Sequence, residues 1–153
     1  MFEDARPIIE EICKGSSIPF LTTTSGKGIV NEHNPYSFGN IMQKGTVQEI
    51  LSGADIALAI GTRLRDVDTR RRGVNVKELI HIDIDDQWFD KNYPASLKFP
   101  CDIEKILIDL RNILQGRKFD WDIGYLKAKQ LKEFKELEEM SLGFTMIKQI
   151  RKS

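Results

Sequence analysis

Residues 54–66 read ADIALAIGTRLRD, and this stretch decides the fold. Seven residues, nearly all apolar, are followed at once by a glycine, a hydroxyl and an arginine. An apolar run this short reads as a strand covered on both faces, the habit of a parallel sheet. Gly61 ends the strand. Working outward, Thr46–Leu51 (TVQEIL) reads as a short helix closed by Gly53, with Thr46 as N-cap and Glu49 three residues on, as in a capping box.

Upstream, Asp4–Lys14 reads as a helix, with Ile8, Ile9 and Ile12 on one side and Glu3, Glu10 and Glu11 on the other. Ile18–Thr24 (IPFLTTT) is apolar and β-branched and reads as a strand, and residues 25–28 as a turn. After a loop at 31–35, Tyr36–Phe38 reads as a short strand ending at Gly39. Downstream, Glu78–Ile84 (ELIHIDI) and Leu97–Phe99 read as strands. Residues 102–114 read as a helix capped by Asp102, with Ile103, Ile106, Leu107, Leu110 and Leu114 at helical spacing. Lys127–Met140 reads as an amphipathic helix through Leu131, Phe134 and Leu137. Strands alternate with helices, so the fold class is α/β, a Rossmann-like parallel sheet with flanking helices and a C-terminal amphipathic helix.

Composition narrows function. The chain has 153 residues, within the range of one domain. Lys+Arg and Asp+Glu are both 23, which gives no basic excess for nucleic acid. No apolar run is long enough to cross a bilayer, and the acidic start MFEDARPIIEE does not resemble a signal peptide, so a cytoplasmic protein without membrane or nucleic-acid partners is expected. Cys13 and Cys101 lack a CxxC partner, and His33 and His81 are the only histidines, so no metal site is expected. The charge divides: residues 115–153 carry nine basic against six acidic side chains, while the first 114 are net acidic.

Ligands of open parallel sheets bind beyond the carboxyl ends of the strands. The residues standing there are Thr23, Thr24 and Ser25 after the first strand, then Gly61, Thr62 and Arg63, then Asp83, Ile84 and Asp85, then Cys101 and Asp102. Gly61 either admits a ligand to the backbone or simply turns the chain. Arg63 either forks onto a diphosphate or belongs to the basic loop with Arg65, Arg70, Arg71 and Arg72. Asp83 either accepts from a ribose diol or, like Asp85 and Asp102, caps the segment after it. Helix N-termini near Thr46 and Asp102 offer N–H groups to an anion. His81 shares a strand face with Asp83 and reads as packed. Neither G-x-G-x-x-G nor a P-loop is present, and no catalytic triad can be assembled.

Taken in order, PFLTTTSGKG (19–28), HNPYSFGN (33–40), ADIALAIGTRLRD (54–66), HIDID (81–85) and PCDIEKIL (100–107) resemble the central domain of thiamine-diphosphate enzymes, most nearly the acetolactate synthase large subunit. The likeness runs from about residue 4 to residue 114. It implies a central domain over 1–114 and, over 115–153, a linker and helical tail leading toward a thiamine-diphosphate domain. It also implies FAD, without a net redox part, or an adenine nucleotide such as ADP. The contacts would come from Thr23, Thr24, Ser25, Lys44, Gly45, Gly61, Thr62, Arg63, Asp83, Ile84, Cys101 and Asp102.

Departures from the family pattern are as informative. The family's opening strand and glycine-rich turn would precede the first helix here, so a sheet lacking its first strand is expected. Arg65, Val67 and Cys101 stand where the family has an acid, an arginine and a glycine. These changes imply weak cofactor binding or its loss. The thiamine-activating glutamate and the G-D-G magnesium–diphosphate motif are not in the sequence. Thiamine diphosphate and magnesium would belong to the parent enzyme, and GFTMIKQIRKS would be the start of its next domain. The reading is a non-catalytic central domain, inactive alone in pyruvate condensation, that forms a homo-oligomer or pairs with a second chain carrying the other domains. Two alternatives of other classes are a free-standing nucleotide-binding enzyme, as in the sirtuin-like deacylases of related fold, and an interaction module docking through the helix at 125–140.

Overall fold

The computed structural model describes residues 5–69 and 75–140. In chain order these form α1 (Ala5–Ser16), β1 (Phe20–Thr22), β2 (Ser37–Asn40), α2 (Thr46–Gly53), β3 (Ile56–Ile60), α3 (Asp66–Thr69), β4 (Glu78–Asp83), β5 (Leu97–Pro100), α4 (Ile103–Leu114) and α5 (Ile123–Met140). A single 3₁₀ turn, Asp86–Trp88, follows β4. All strand pairs are parallel. The strands fall into two groups, a pair β1-β2 and a trio β3-β4-β5. This is the α/β fold that the alternation predicts.

The two groups form one layer because the α1–α4 pair spans them on one face. On one face α1 and α4 bury Ala5, Ile9, Cys13 and Leu107, and this cluster receives Phe20 from β1 and Ile60 from β3. On the other face Val47, Ile50 and Leu51 of α2 and Leu126 of α5 enclose Phe38, with Leu21 of β1 against them. Phe20 and Leu21 thus point to opposite faces, as the two-residue period of a strand requires. Val76 joins this second cluster to a third one, built on Ala59, Leu64 and Leu79. Each such buried aliphatic side chain contributes about 1.5–3 kcal/mol.

Several local expectations are corrected. The run at 54–60 is not covered on both faces: Ile56 is 58% and Leu58 41% exposed. They share a face with Ile60, but only Ile60, at the rim end, reaches the α1–α4 cluster. The first strand is three residues long, because Pro19 has no N–H to donate and the ladder bulges between Phe20 and Thr22. The last helix starts at Ile123, and its buried residues are Leu126 and Gln130, whereas Leu131, Phe134 and Leu137 are exposed. Gln130 is drawn inward because its amide donates to Phe38 O at 2.7 Å. The expected cap of α4 is present: Asp102 accepts from Glu104 N–H at 2.8 Å. Arg70, Arg71 and Arg72 and the GFTMIKQIRKS segment lie outside the described residues.

The packing of α1 fixes the chemistry of Cys13. Its thiol is buried, and burial, reinforced by the negative charge of Glu10, pushes its pKa up to about 12. Cys101 is partly exposed. Iodoacetamide at neutral pH is expected to label Cys101 alone in the folded protein and both cysteines in denaturant, because the thiolate is the reacting species. Mass spectrometry of the labelled peptides checks this.

Candidate functional site

The C-terminal ends of the strands open onto one rim, and the rim residues are already engaged with one another. After β1, Thr23 Oγ1 accepts from Gly26 N–H at 3.2 Å, which tightens the turn. Thr24 Oγ1 accepts from the Asn40 side chain beyond β2 at 3.3 Å. Ser25 Oγ accepts from the Arg65 guanidinium at 3.2 Å. Arg65 lies beyond β3, so this bond crosses from one strand group to the other. The same guanidinium donates through Nε to Asp68 Oδ2 at 3.0 Å, and the Asp68 side chain is 4% exposed. Asp68 Oδ1 is without a hydrogen-bond partner among the described residues.

Beyond β3, Gly61 has φ 60°, and a Cβ placed there would stand 2.6 Å from Ile103 Cδ1 at the start of α4. The glycine is therefore required by the turn and by the approach of α4. Thr62 O lies 2.8 Å from His81 Nε2, and Thr62 Oγ1 accepts from Leu64 N–H at 3.3 Å. Leu64 itself has φ 45°, a left-handed conformation that costs about 1–2 kcal/mol for a residue with a Cβ. Burial of its side chain in the third cluster offsets this. The Arg63 guanidinium lies over the Trp88 ring, 4.4 Å from its centroid, and Lys91 approaches the same ring at 4.5 Å. Beyond β4, Asp83 Oδ1 accepts from Asp85 N–H at 3.0 Å, and Ile84 is 72% exposed. Cys101 N–H donates to Asp83 O at 3.2 Å. His81 is packed as expected, its ring edge-on to Phe89 at 5.0 Å.

The start of α2 departs from the predicted capping box. Thr46 is the first helical residue, and Gly45, at φ 70°, occupies the cap position without a side chain to offer. The cap comes instead from α5. The Glu133 carboxylate accepts from Thr46 N–H at 3.0 and 3.1 Å and from Thr46 Oγ1 at 3.0 Å. Glu49, expected to close the box, pairs with Lys129. Trp121 lies against Gly53 at the far end of α2, so α5 runs antiparallel to α2 and reaches the rim at Glu133. Lys127 donates to Ser37 O with its ammonium over the Phe38 ring, and burial holds its pKa below the ordinary lysine value.

The rim thus gathers Thr23, Thr24, Ser25, Gly61, Thr62, Arg63, Asp83, Ile84, Cys101 and Asp102 at the strand ends, with Lys44 and Gly45 ahead of α2. Sequence reasoning missed Asp68, Trp88 and Glu133, and read Arg65 only as part of the basic loop and as a departure from the family pattern. Local signals for Trp88 and Asp68 existed, since both lie in the short segments that follow strands. Glu133 had none, because its partner is 87 positions away. Among the described residues, no group of His, Cys, Asp and Glu is arranged to hold a metal ion. No described helix is long and apolar enough to cross a membrane.

A doubly wound parallel layer with a polar rim at its strand ends is the class of α/β domain that receives ligands there. The chain belongs to the thiamine pyrophosphate enzyme family: residues 2–110 match the family's central domain. The acetolactate synthase large subunit of Cyanidium caldarium is 34% identical over 124 residues, 78% of this chain and 21% of that protein. The probable acetolactate synthase large subunit of Methanococcus aeolicus is 30% identical over 142 residues, 90% of this chain and 22% of that protein. A 3D-(3,5/4)-trihydroxycyclohexane-1,2-dione hydrolase of Bacillus cereus is 28% identical over 149 residues, 94% of this chain and 23% of that protein. The chain therefore spans about a fifth of the length of these relatives.

The Glu133 cap generates a prediction. Glu133→Ala leaves a fully buried hydroxyl and a helix N–H without a partner, and is expected to cost about 1–2 kcal/mol. The urea unfolding midpoint measures it. Gly45→Ala is expected to cost more, since its Cβ would stand 2.5 Å from the Glu133 carboxylate at a positive φ.

Proposed function

We propose that the chain acts as the central domain of an acetolactate-synthase-type enzyme, without catalytic residues of its own, and that its rim receives FAD or an adenine nucleotide. The observation that carries this is the convergence of Gly61, Thr62 and Asp83 on one rim of a layer whose sequence matches the family's central domain. In this reading the Gly61–Thr62 backbone passes close to the ligand and Asp83 accepts from a ribose hydroxyl. FAD, when bound, would be a structural element without net electron transfer. The α2 N-terminus is satisfied by Glu133, so the diphosphate lies toward β3 and Arg63.

The thiamine chemistry would be supplied from outside these residues. The sequence contains no G-D-G triplet, and the chain spans about a fifth of its relatives. Thiamine diphosphate and magnesium would be held by parts of the enzyme outside these 153 residues. Leu131, Phe134, Leu137 and Met140 form an exposed apolar row on α5, which favours a contact role for that helix as well.

Addition of FAD or ADP is expected to raise the melting temperature, and bound FAD to give a flavin absorbance band. Asp83→Ala should weaken the response about tenfold, the worth of one hydrogen bond. The chain alone, given pyruvate, thiamine diphosphate and magnesium, is expected to form no acetolactate. Product in that assay overturns the non-catalytic reading, and melting curves indifferent to both nucleotides overturn the cofactor reading.

A further inference from the structure

The turn after β3 presents donors and covers its acceptors. Thr62 O and Arg63 O are both engaged by side chains from β4 and the segment that follows it. His81, near the end of β4, brings Nε2 to 2.8 Å from Thr62 O. Asn92, between β4 and β5, donates its side-chain amide to Arg63 O at 2.8 Å. Among the N–H groups, Gly61 donates to Ile82 O and Leu64 donates to Thr62 Oγ1. The N–H groups of Thr62 and Arg63 have no acceptor among the described residues. A planar trans peptide directs its C=O and its N–H oppositely. Thr62 O is turned onto a buried ring, so Arg63 N–H is turned away from the interior, beyond the strand ends. Consecutive free N–H groups in a turn attract an anion.

The chemistry of His81 bears this out. The residue is 1% exposed. A carbonyl oxygen only accepts, so Nε2 carries the ring proton and Nδ1 is an acceptor. Nδ1 is buried without a hydrogen-bond partner among the described residues. An orphaned buried acceptor is destabilising. A leucine would fill the same space beside Phe89 and leave no such orphan. What the imidazole adds over an apolar side chain is its single bond to Thr62 O.

We infer that His81 is a positioning residue of the nucleotide site: its hold on Thr62 O turns Arg63 N–H outward, where it donates to a phosphate oxygen of the ligand. Asn92 covers the next carbonyl, so neither Thr62 O nor Arg63 O is left bare toward the anion. The inference rests on the nucleotide reading of the rim and deepens it by naming what aims the backbone there.

The test uses the 153-residue chain, labelled with nitrogen-15, and two probes, ADP and adenosine. ADP is expected to move the Arg63 amide proton downfield, as a hydrogen bond to phosphate does. Adenosine, which carries no phosphate, should leave it in place. His81→Leu fills the volume and removes the bond. It should weaken ADP about tenfold, the worth of one hydrogen bond, and leave adenosine affinity unchanged. His81→Gln, whose side-chain N–H makes the same donation, should restore ADP affinity. A packing role alone would lower the melting temperature of the leucine variant without changing the ratio of ADP to adenosine affinity. If His81→Leu does not fold, Asn92→Ala, which leaves the ring in place, is read the same way. Three outcomes overturn the inference and leave the nucleotide reading standing. One is ADP affinity equal in wild type and variant. Another is an equal loss of ADP and adenosine. The last is an Arg63 amide that stays in place at saturating ADP. A wild-type chain that responds to neither ADP nor FAD refutes the nucleotide reading and this inference together.

Discussion

The packing of α1 on α4 is the contact on which the rest of the molecule depends. Ile9, Cys13 and Leu107 form its centre, and Phe20 and Ile60 enter from strands that share no ladder. Without hydrogen bonds between β1 and β3, the spacing and direction of the two strand groups are set by side-chain packing, above all on the α1–α4 face. A backbone ladder would have fixed the register residue by residue. Side chains fix it only as well as their shapes interlock. This explains why the polar tie from Arg65 to Ser25 sits where it does, closing the layer at the end where the strands stop.

The rim is a closed society of hydrogen bonds as much as an open site. Asp83 turns a loop, Thr23 and Thr62 brace their own turns, and Arg63 rests on Trp88. These bonds hold the backbone of the strand ends in place, which any ligand approaching Gly61 would require. The Asp68 carboxylate is the costly member. It is buried beside a half-exposed arginine that neutralises it, and a buried carboxylate stripped of such a partner is strongly destabilising.

Much of this was legible in the sequence, and the exceptions have physical causes. The α/β alternation, the Asp102 cap and the packed His81 come from local patterns of apolarity and spacing. The coverage of β3 did not, because periodicity reports that a residue can be buried, not whether a neighbouring element is there to bury it. Ile56 and Leu58 show the difference. Thr46 and Glu49 matched a capping box, yet both side chains turned to α5. A local motif competes with every tertiary partner the fold brings near, and Glu133 offers a charged acceptor to an N–H and a hydroxyl together. The residues that follow the strands could be named from position, whereas Lys44 and Gly45 came only from the family resemblance; the bonds among them were invisible until the loops had conformations.

Gly45 and Glu133 fit together so closely that neither has room to vary alone. A side chain at 45 would expel the carboxylate, and a shorter residue at 133 would leave Thr46 wanting an acceptor. The tail helix is thus moored to the head of another by the room that a missing side chain leaves.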